Sequence, residues 1–394
     1  VKTFDVAVVG LGAMGSAVLY QLARRGLRCV GIDRYAPPHD RGSSHGETRI
    51  TREAVGEGED YVPLVRASHR IWRDLEAETG ERLLAPVGTL IMASAAAPNS
   101  HHGKPDFVRR TIAVAQAHGI AHEVLDADEI RRRFPHFIGL CGDEIGYFEP
   151  GGGYVRPEAC IAAQLDRARA LGAEIRLGTQ VHAVHQDGAG VRLETDAGPL
   201  SAGQAVVAAG PWTAPFLGAA LRPAFAVNRQ VLHWFALDPA APAPPQSPVF
   251  IWMHGRGDAD YVYGFPPLPG QAAIKVATEQ YDVACDPDTV VRTVAPGEVA
   301  EMYARHLRGK IAGVLPHAVR GAVCLYTTAR DRGFLIDRHP DIAGVVIVSA
   351  CSGHGFKHSA GIGERIAEGL VAQAETFGSA FGAGRLMPGA SATP

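Results

Sequence analysis

The residues with the clearest chemical meaning lie at the start of the chain. Gly10-Leu11-Gly12-Ala13-Met14-Gly15 follows the apolar run Phe4–Val9 and opens a stretch with Met14, Val18 and Leu22 four apart. A second apolar run, Cys29–Ile32, ends at Asp33, 18 residues beyond Gly15. In such an arrangement Gly10 makes a tight turn, Gly12 lets the backbone approach a pyrophosphate, and Gly15 lets helix sit close on strand. The helix N-terminus offers unpaired N–H groups to phosphate, and Asp33 accepts from a ribose hydroxyl. This motif alone does not separate NAD from FAD. Asp33 disfavours a 2′-phosphate, although the neighbouring Arg34 weakens that argument.

Other reactive types lie far down the chain. Val345–Val348 runs into Ser352-Gly353-His354-Gly355-Phe356-Lys357 and then a helical stretch. That is a second place where backbone N–H groups can face an anion or a flavin carbonyl. Lys275 stands alone in the apolar strand Ala272–Ala277, where an unpaired ammonium is costly. Cys324 and Tyr326 fall on one face of a strand, ~7 Å apart. Glu279 lies four residues beyond Lys275 and, by period 2, on the same face. It can enter a pocket, or pair with Lys275 or another base.

The elements between these residues decide the architecture. Regular βαβ units do not continue after Asp33. Instead Pro37-Pro38-His39 and a polar stretch through Glu59 interrupt the pattern, and Gly151–Arg156 restarts it. Helix is expected over Arg156–Leu171, and strands over Glu174–Leu177 and Val181–Val184. A further strand over 204–212 should turn beneath a cofactor at Gly210. The cofactor domain is therefore expected to be discontinuous (1–85, 150–220 and 321–394), with a mixed β substrate domain from 86–149 and 221–320. The Pro-rich stretch Asp238–Pro248 reads as a loop within the latter.

Ser43-Ser44-His45-Gly46-Glu47-Thr48-Arg49-Ile50-Thr51-Arg52 and Arg320-Gly321-Ala322-Val323-Cys324-Leu325-Tyr326-Thr327 resemble the monomeric sarcosine oxidase and N-methyltryptophan oxidase family. The likeness extends to Gly56–Pro63, Tyr263–Pro266, Phe334–Asp337 and Ser352–Lys357. The resemblance implies an α/β fold, with a glutathione-reductase-like FAD-binding Rossmann domain under an antiparallel-rich substrate domain. It implies FAD joined by a thioether between its 8α-methyl carbon and Cys324, and oxidation of a secondary amino acid to an imine with O₂ reduced to H₂O₂. Arg49 and Lys275 take positions against the two faces of the flavin, and with Tyr326 they form the expected catalytic set. Arg52 and Lys357 would clamp the substrate carboxylate, and Tyr263 and Tyr326 would line its cavity. The cofactor-binding set is Gly10, Gly12, Gly15, Asp33, Arg34, Ser43, His45, Thr48, Val181, Gly210, Cys324, Gly353, His354, Gly355 and Phe356. His45 and Thr48 are expected to donate hydrogen bonds to it, and His354 and Lys357 to supply positive charge. Glu279 departs from the family, whose best-known members carry His there. An ionised Glu279 in the pocket would favour a substrate with an extra cationic or donor group over sarcosine.

The bulk properties exclude other classes. A net charge of −3 and 46% hydrophobic content give no footprint for nucleic acid or an anionic membrane. No apolar run is long enough for a membrane span and the first strand starts near residue 1, so a cytosolic enzyme is expected. A monomer is expected beside the resemblance, while the sequence itself does not give the oligomeric state. The six cysteines show no metal or disulfide spacing, and apart from Cys324 they are expected to fill apolar sites. No His, Asp and Glu set has metal spacing, and His101-His102 reads as a loop pair. Competing functions are oxidation of a primary or glycated amine, a flavin dehydrogenase using another acceptor, and a flavin-bearing redox sensor.

Overall fold

The computed structural model describes residues 4–241, 247–374 and 377–389. Its first sheet is built on parallel strands in the order Glu174–Arg176, Cys29–Ile32, Phe4–Val9 and Leu200–Val207, with Val345–Ser349 also parallel to Leu200–Val207. The near-continuous Val, Ile and Ala content of these strands suits a sheet covered on both faces. An antiparallel hairpin, Val181–Asp187 with Gly190–Thr195, extends one edge.

Helices Ala13–Arg24, Pro157–Ala170 and Ser359–Val371 share one apolar core with this sheet. Val18, Leu22, Ile161 and Ile362 are all essentially solvent-free in it. Helix Ser359–Val371 crosses Ala13–Arg24 so closely that a Cβ on Gly363 would lie 2.5 Å from the Ala17 carbonyl carbon. The helix Val62–Thr79 packs Trp72 and Leu75 into the same core and stops at Gly80 in the left-handed region.

A second, mixed sheet of eight strands runs Val314–Ala329, Phe225–Leu237, Ala273–Ala277, Tyr261–Phe265, Val249–Met253, Thr89–Ser94, Glu144–Glu149, Glu123–Asp126. The strand Val314–Ala329 passes straight through the boundary expected at 320/321. It pairs with Phe225–Leu237 from Val314 to Ala329, so Cys324 and Tyr326 belong to this second sheet. A domain boundary cannot fall there, because cutting the strand would break a continuous ladder. Of the Pro-rich stretch, 242–246 lies outside the described residues. Its flanks join two strands of this one sheet. A small sheet of Arg49–Thr51, Gly153–Val155 and Leu84–Ala85 completes the site's frame. Among the described residues no helix is long and apolar enough to cross a membrane.

The glycines of the first turn do different work. Gly10 has φ +85°, and a Cβ there would lie 2.6 Å from the Ala208 carbonyl oxygen. A Cβ on Gly15 would lie 1.7 Å from the Gly10 carbonyl oxygen, whereas one on Gly12 meets only the Ser44 hydroxyl at 3.8 Å. Gly15→Ala should therefore lower stability by about 1–3 kcal/mol through backbone overpacking. Gly12→Ala should fold with near wild-type stability and lose affinity for a dinucleotide. Thermal unfolding and retained flavin absorbance check both, and a stable Gly15→Ala protein would contradict the packing argument.

Candidate active site

A cleft of about 300 Å³ opens where the parallel sheet ends. Gly10, Gly12, Asp33, Arg34, Ser43, Val181, Gly210, Gly353, Gly355 and Phe356 line it, and Arg49 and Tyr326 reach its wall. Helix Ala13–Arg24 points its N-terminus here from Gly12, which offers no capping side chain; the Ala13 N–H makes a long 3.4 Å contact with the Ser44 hydroxyl, and such a helix end suits an anion. The Asp33 carboxylate accepts from the backbone N–H of Leu11 at 2.7 Å and of Tyr35 at 2.8 Å. Burial nevertheless pushes its pKa up. Arg34 stacks over Tyr35 and Trp212 and pairs with Asp288 at 3.0 Å. The uncapped helix end, the open side of Gly12 and the unpartnered, buried Ser43 hydroxyl together fit an elongated dinucleotide.

Cys324, His45, Thr48 and His354 lie outside this wall. The Cys324 thiol sits 3.4 Å from the Ser43 carbonyl oxygen and 3.5 Å from Arg49 Nη2. Burial alone would raise its pKa, but the His45 ring and the Arg49 and Lys275 charges bring it down to about 7. The other cysteines do not behave as one apolar class. Cys29 and Cys160 are buried, Cys285 and Cys351 are partly exposed, and Cys141 is exposed because it follows the helix Ala127–Arg133 in a surface loop.

Two cations hold the loop above the thiol. Lys275 Nζ donates to the carbonyls of Gly46 (2.6 Å) and Thr48 (2.8 Å) and to the Thr48 hydroxyl (3.1 Å). Burial and the nearby Arg49 push its pKa well down, yet three acceptors match the three protons of an ammonium. Arg49 donates to the carbonyls of Ser43 and Thr48, both at 2.8 Å. The Thr48 hydroxyl is thus an acceptor for Lys275 and keeps its own proton to donate elsewhere.

A buried charge cluster lies next to these groups. Arg52 Nη2 is 3.2 Å from Glu57, and Lys357 Nζ is 3.9 Å from the same carboxylate and donates to the His354 carbonyl. Burial lowers Lys357 to about 7 and His354 to about 3, so His354 is neutral and supplies no positive charge. His102 is no loop bystander. The hairpin of Ser100–His101 with Lys104–Pro105 carries it inward, where it bridges Glu57 at 2.9 Å and Glu279 at 3.0 Å. Glu279 also accepts from Tyr261 (2.8 Å), Tyr281 (2.9 Å) and Tyr326 (3.1 Å). Its partner base is therefore His102 and not Lys275, because the strand ends at Ala277 and period 2 no longer applies. The ligand atoms of His101, His102 and Glu279 lie within 4.8 Å of one another, which chain spacing could not reveal. The hydrogen bonds account for the placement of His102 and Glu279 without an ion.

Sequence reasoning missed Glu57, His102, Tyr261 and Tyr281. Glu57 had a signal, an acid between two glycines inside a quoted motif. Nothing local marked the others.

The model of the FAD dependent oxidoreductase family matches residues 5–369. The chain belongs to that family. It is 38% identical to a monomeric sarcosine oxidase of Streptomyces avermitilis over 93% of each chain. It is 31% identical to an N-methyl-L-tryptophan oxidase of Salmonella dublin, over 95% of this chain and 96% of that one. Among solved structures, NikD, an unusual amino acid oxidase essential for nikkomycin biosynthesis, superposes with a TM-score of 0.80 at 26% identity over 98% of both chains.

The Lys275 contacts make a direct prediction. Lys275→Met removes three hydrogen bonds from this loop, leaving the Gly46 carbonyl with only the Thr48 N–H and the Thr48 carbonyl with only Arg49, at about 0.5–1.5 kcal/mol for each bond lost. Thermal unfolding should show a lowered Tm, and an unchanged Tm would mean that the loop does not depend on the lysine.

Proposed function

We propose that this protein oxidises a secondary amino acid, N-methyl or cyclic, with FAD held covalently through Cys324 and O₂ as the electron acceptor. The observation that carries the reading is the pair of buried sites beside the cleft: a Cys324 thiol flanked by Arg49, and the cations Arg52 and Lys357, which connect through Glu57, His102 and Glu279 to Tyr326 on the cleft wall. FAD held here would supply the acceptor for a hydride from the carbon next to nitrogen and the route for those electrons to O₂. The chain's residues do the rest. Arg52 and Lys357 take the substrate carboxylate, a fork and a point charge from two directions. Tyr263 and Tyr326 form the wall on which the amine lies, with the Tyr326 hydroxyl fixed by Glu279. Arg49 and Lys275 keep fixed positive charge where O₂ gains electrons, with no reorganisation needed at that moment.

The relatives named for oxidation of sarcosine and N-methyl-L-tryptophan support this substrate class. The balanced charge and scattered thiols support a cytosolic setting, and we read the protein as a monomer.

Incubation with a panel of N-methyl and cyclic amino acids should yield H₂O₂ together with the imine hydrolysis products. Reduction of an artificial acceptor without peroxide would make the protein a dehydrogenase instead. Acid precipitation should leave the yellow colour on the polypeptide, and Cys324→Ala should release any bound flavin into the supernatant. Free FAD from the wild-type protein would overturn the covalent link. Because the thiolate is the nucleophile and the thiol sits at about 7, flavin attachment to apoprotein should speed up as pH rises through that value and then level off.

A further inference from the structure

The hairpin 100–105 places a non-glycine residue, His102, at φ +52°, in the left-handed region that side chains other than Asn, Asp and His seldom adopt. Strain of this kind is kept where the surroundings over-determine a conformation, often at functional sites. Here the over-determination is electrostatic. His102 Nδ1 lies 2.9 Å from Glu57 and Nε2 lies 3.0 Å from Glu279, and all three side chains are at most 5% exposed.

The charges around it can be counted. Burial opposes the ionisation of Glu57, yet Lys357, Arg52 and His102 hold its pKa well below the usual range. Burial likewise opposes ionisation of Glu279, and His102 pulls its pKa down. Burial opposes the imidazolium, but Glu279 and Glu57 raise the pKa of His102. The other groups facing the ring are neutral. His101 is pushed well down by burial, and His354 falls to about 3. Tyr261 and Tyr281 present hydroxyls to Glu279, and Arg332 stacks over Tyr281 at 4.0 Å, outside the cluster. Three cations, Arg52, Lys357 and His102, thus face two carboxylates. One positive charge is left over. Without His102, Glu57 and Glu279 would cancel Arg52 and Lys357.

We propose that His102 is a specificity-determining residue: as the third cation of this buried cluster it leaves one unmatched positive charge, so the site takes a monocarboxylate in preference to an uncharged analogue or a dicarboxylate. The inference rests on Arg52 and Lys357 as the carboxylate-binding pair. It assigns the role to a residue that need not touch the substrate. Glu279, on this account, does not read a cationic tail. It is the second anion of the balance.

Binding to the holoenzyme tests this without turnover, using the perturbation of the flavin's visible spectrum. The probes are propionate, propionamide and malonate, in mildly acidic buffer where Lys357 is protonated. Wild-type protein should bind propionate more tightly than either of the others. His102→Gln should weaken propionate by about 10- to 100-fold, the range of a lost charge-assisted contact. Glu279→Gln should not weaken it. The double variant, which leaves no unpaired buried carboxylate and so guards against misfolding, should return to the wild-type range. Equal propionate affinity in wild-type and His102→Gln proteins would overturn the proposal. So would a double variant no better than His102→Gln, or a wild-type protein indifferent to propionate. If N-methyl amino acids are not oxidised while this pattern holds, the proposed reaction fails and the charge balance stands.

Discussion

The hydrogen bonds from Lys275 to the backbone of Gly46 and Thr48 hold the site together. The lysine comes from the middle of the second sheet, and the carbonyls belong to the loop that leaves the first. Arg49 sits on that loop, closes it on itself through Ser43 and Thr48, and reaches Cys324 on a third strand. The ladder between Phe225–Leu237 and the strands on either side sets Lys275 and Cys324 at a fixed separation. Each contact is polar and at least partly buried, where an unmade hydrogen bond costs more than a made one gains. The thiol, the loop and the cations are therefore positioned together or not at all.

Behind that seam the charges are arranged in an alternating array instead of as isolated pairs. Glu57 meets Arg52, Lys357 and His102, and His102 passes the contact on to Glu279 and its three tyrosines. An isolated buried ion pair rarely repays its desolvation, whereas a network that satisfies every lone pair can, and it fixes geometry. This links the residues expected to grip a carboxylate with Tyr326 on the wall of the cleft.

Much of the frame was legible in the sequence. The turn glycines, Asp33 and the second glycine turn at Gly353 and Gly355 follow rules of local geometry, and the structure places Gly10, Gly12, Asp33, Gly353 and Gly355 on one cleft while Gly15 packs helix against turn. Cys324 stood out only because its octapeptide resembles that of a family. What could not be read depends on partners far apart in the chain. His102 and Glu279 are separated by 177 residues, and no periodicity tells a loop histidine from one folded back into a charge cluster. Glu279 was assigned to the Lys275 face by extending a strand two residues past its end at Ala277. The boundary at 320/321 failed similarly, since a change in residue pattern does not show that a strand continues. The contact of Lys275 with the Thr48 hydroxyl likewise joins residues 227 positions apart, which no local pattern shows.

The central claim is that this cleft carries a flavin that takes electrons from an N-methyl or cyclic amino acid and gives them to oxygen. Anaerobic mixing of the purified holoprotein with such amino acids, followed by admission of air, tests it most directly. The account predicts bleaching of the visible flavin band on mixing and its return, with H₂O₂, when oxygen enters. A band unchanged by every N-methyl and cyclic amino acid, or one bleached but not restored by oxygen, would contradict it.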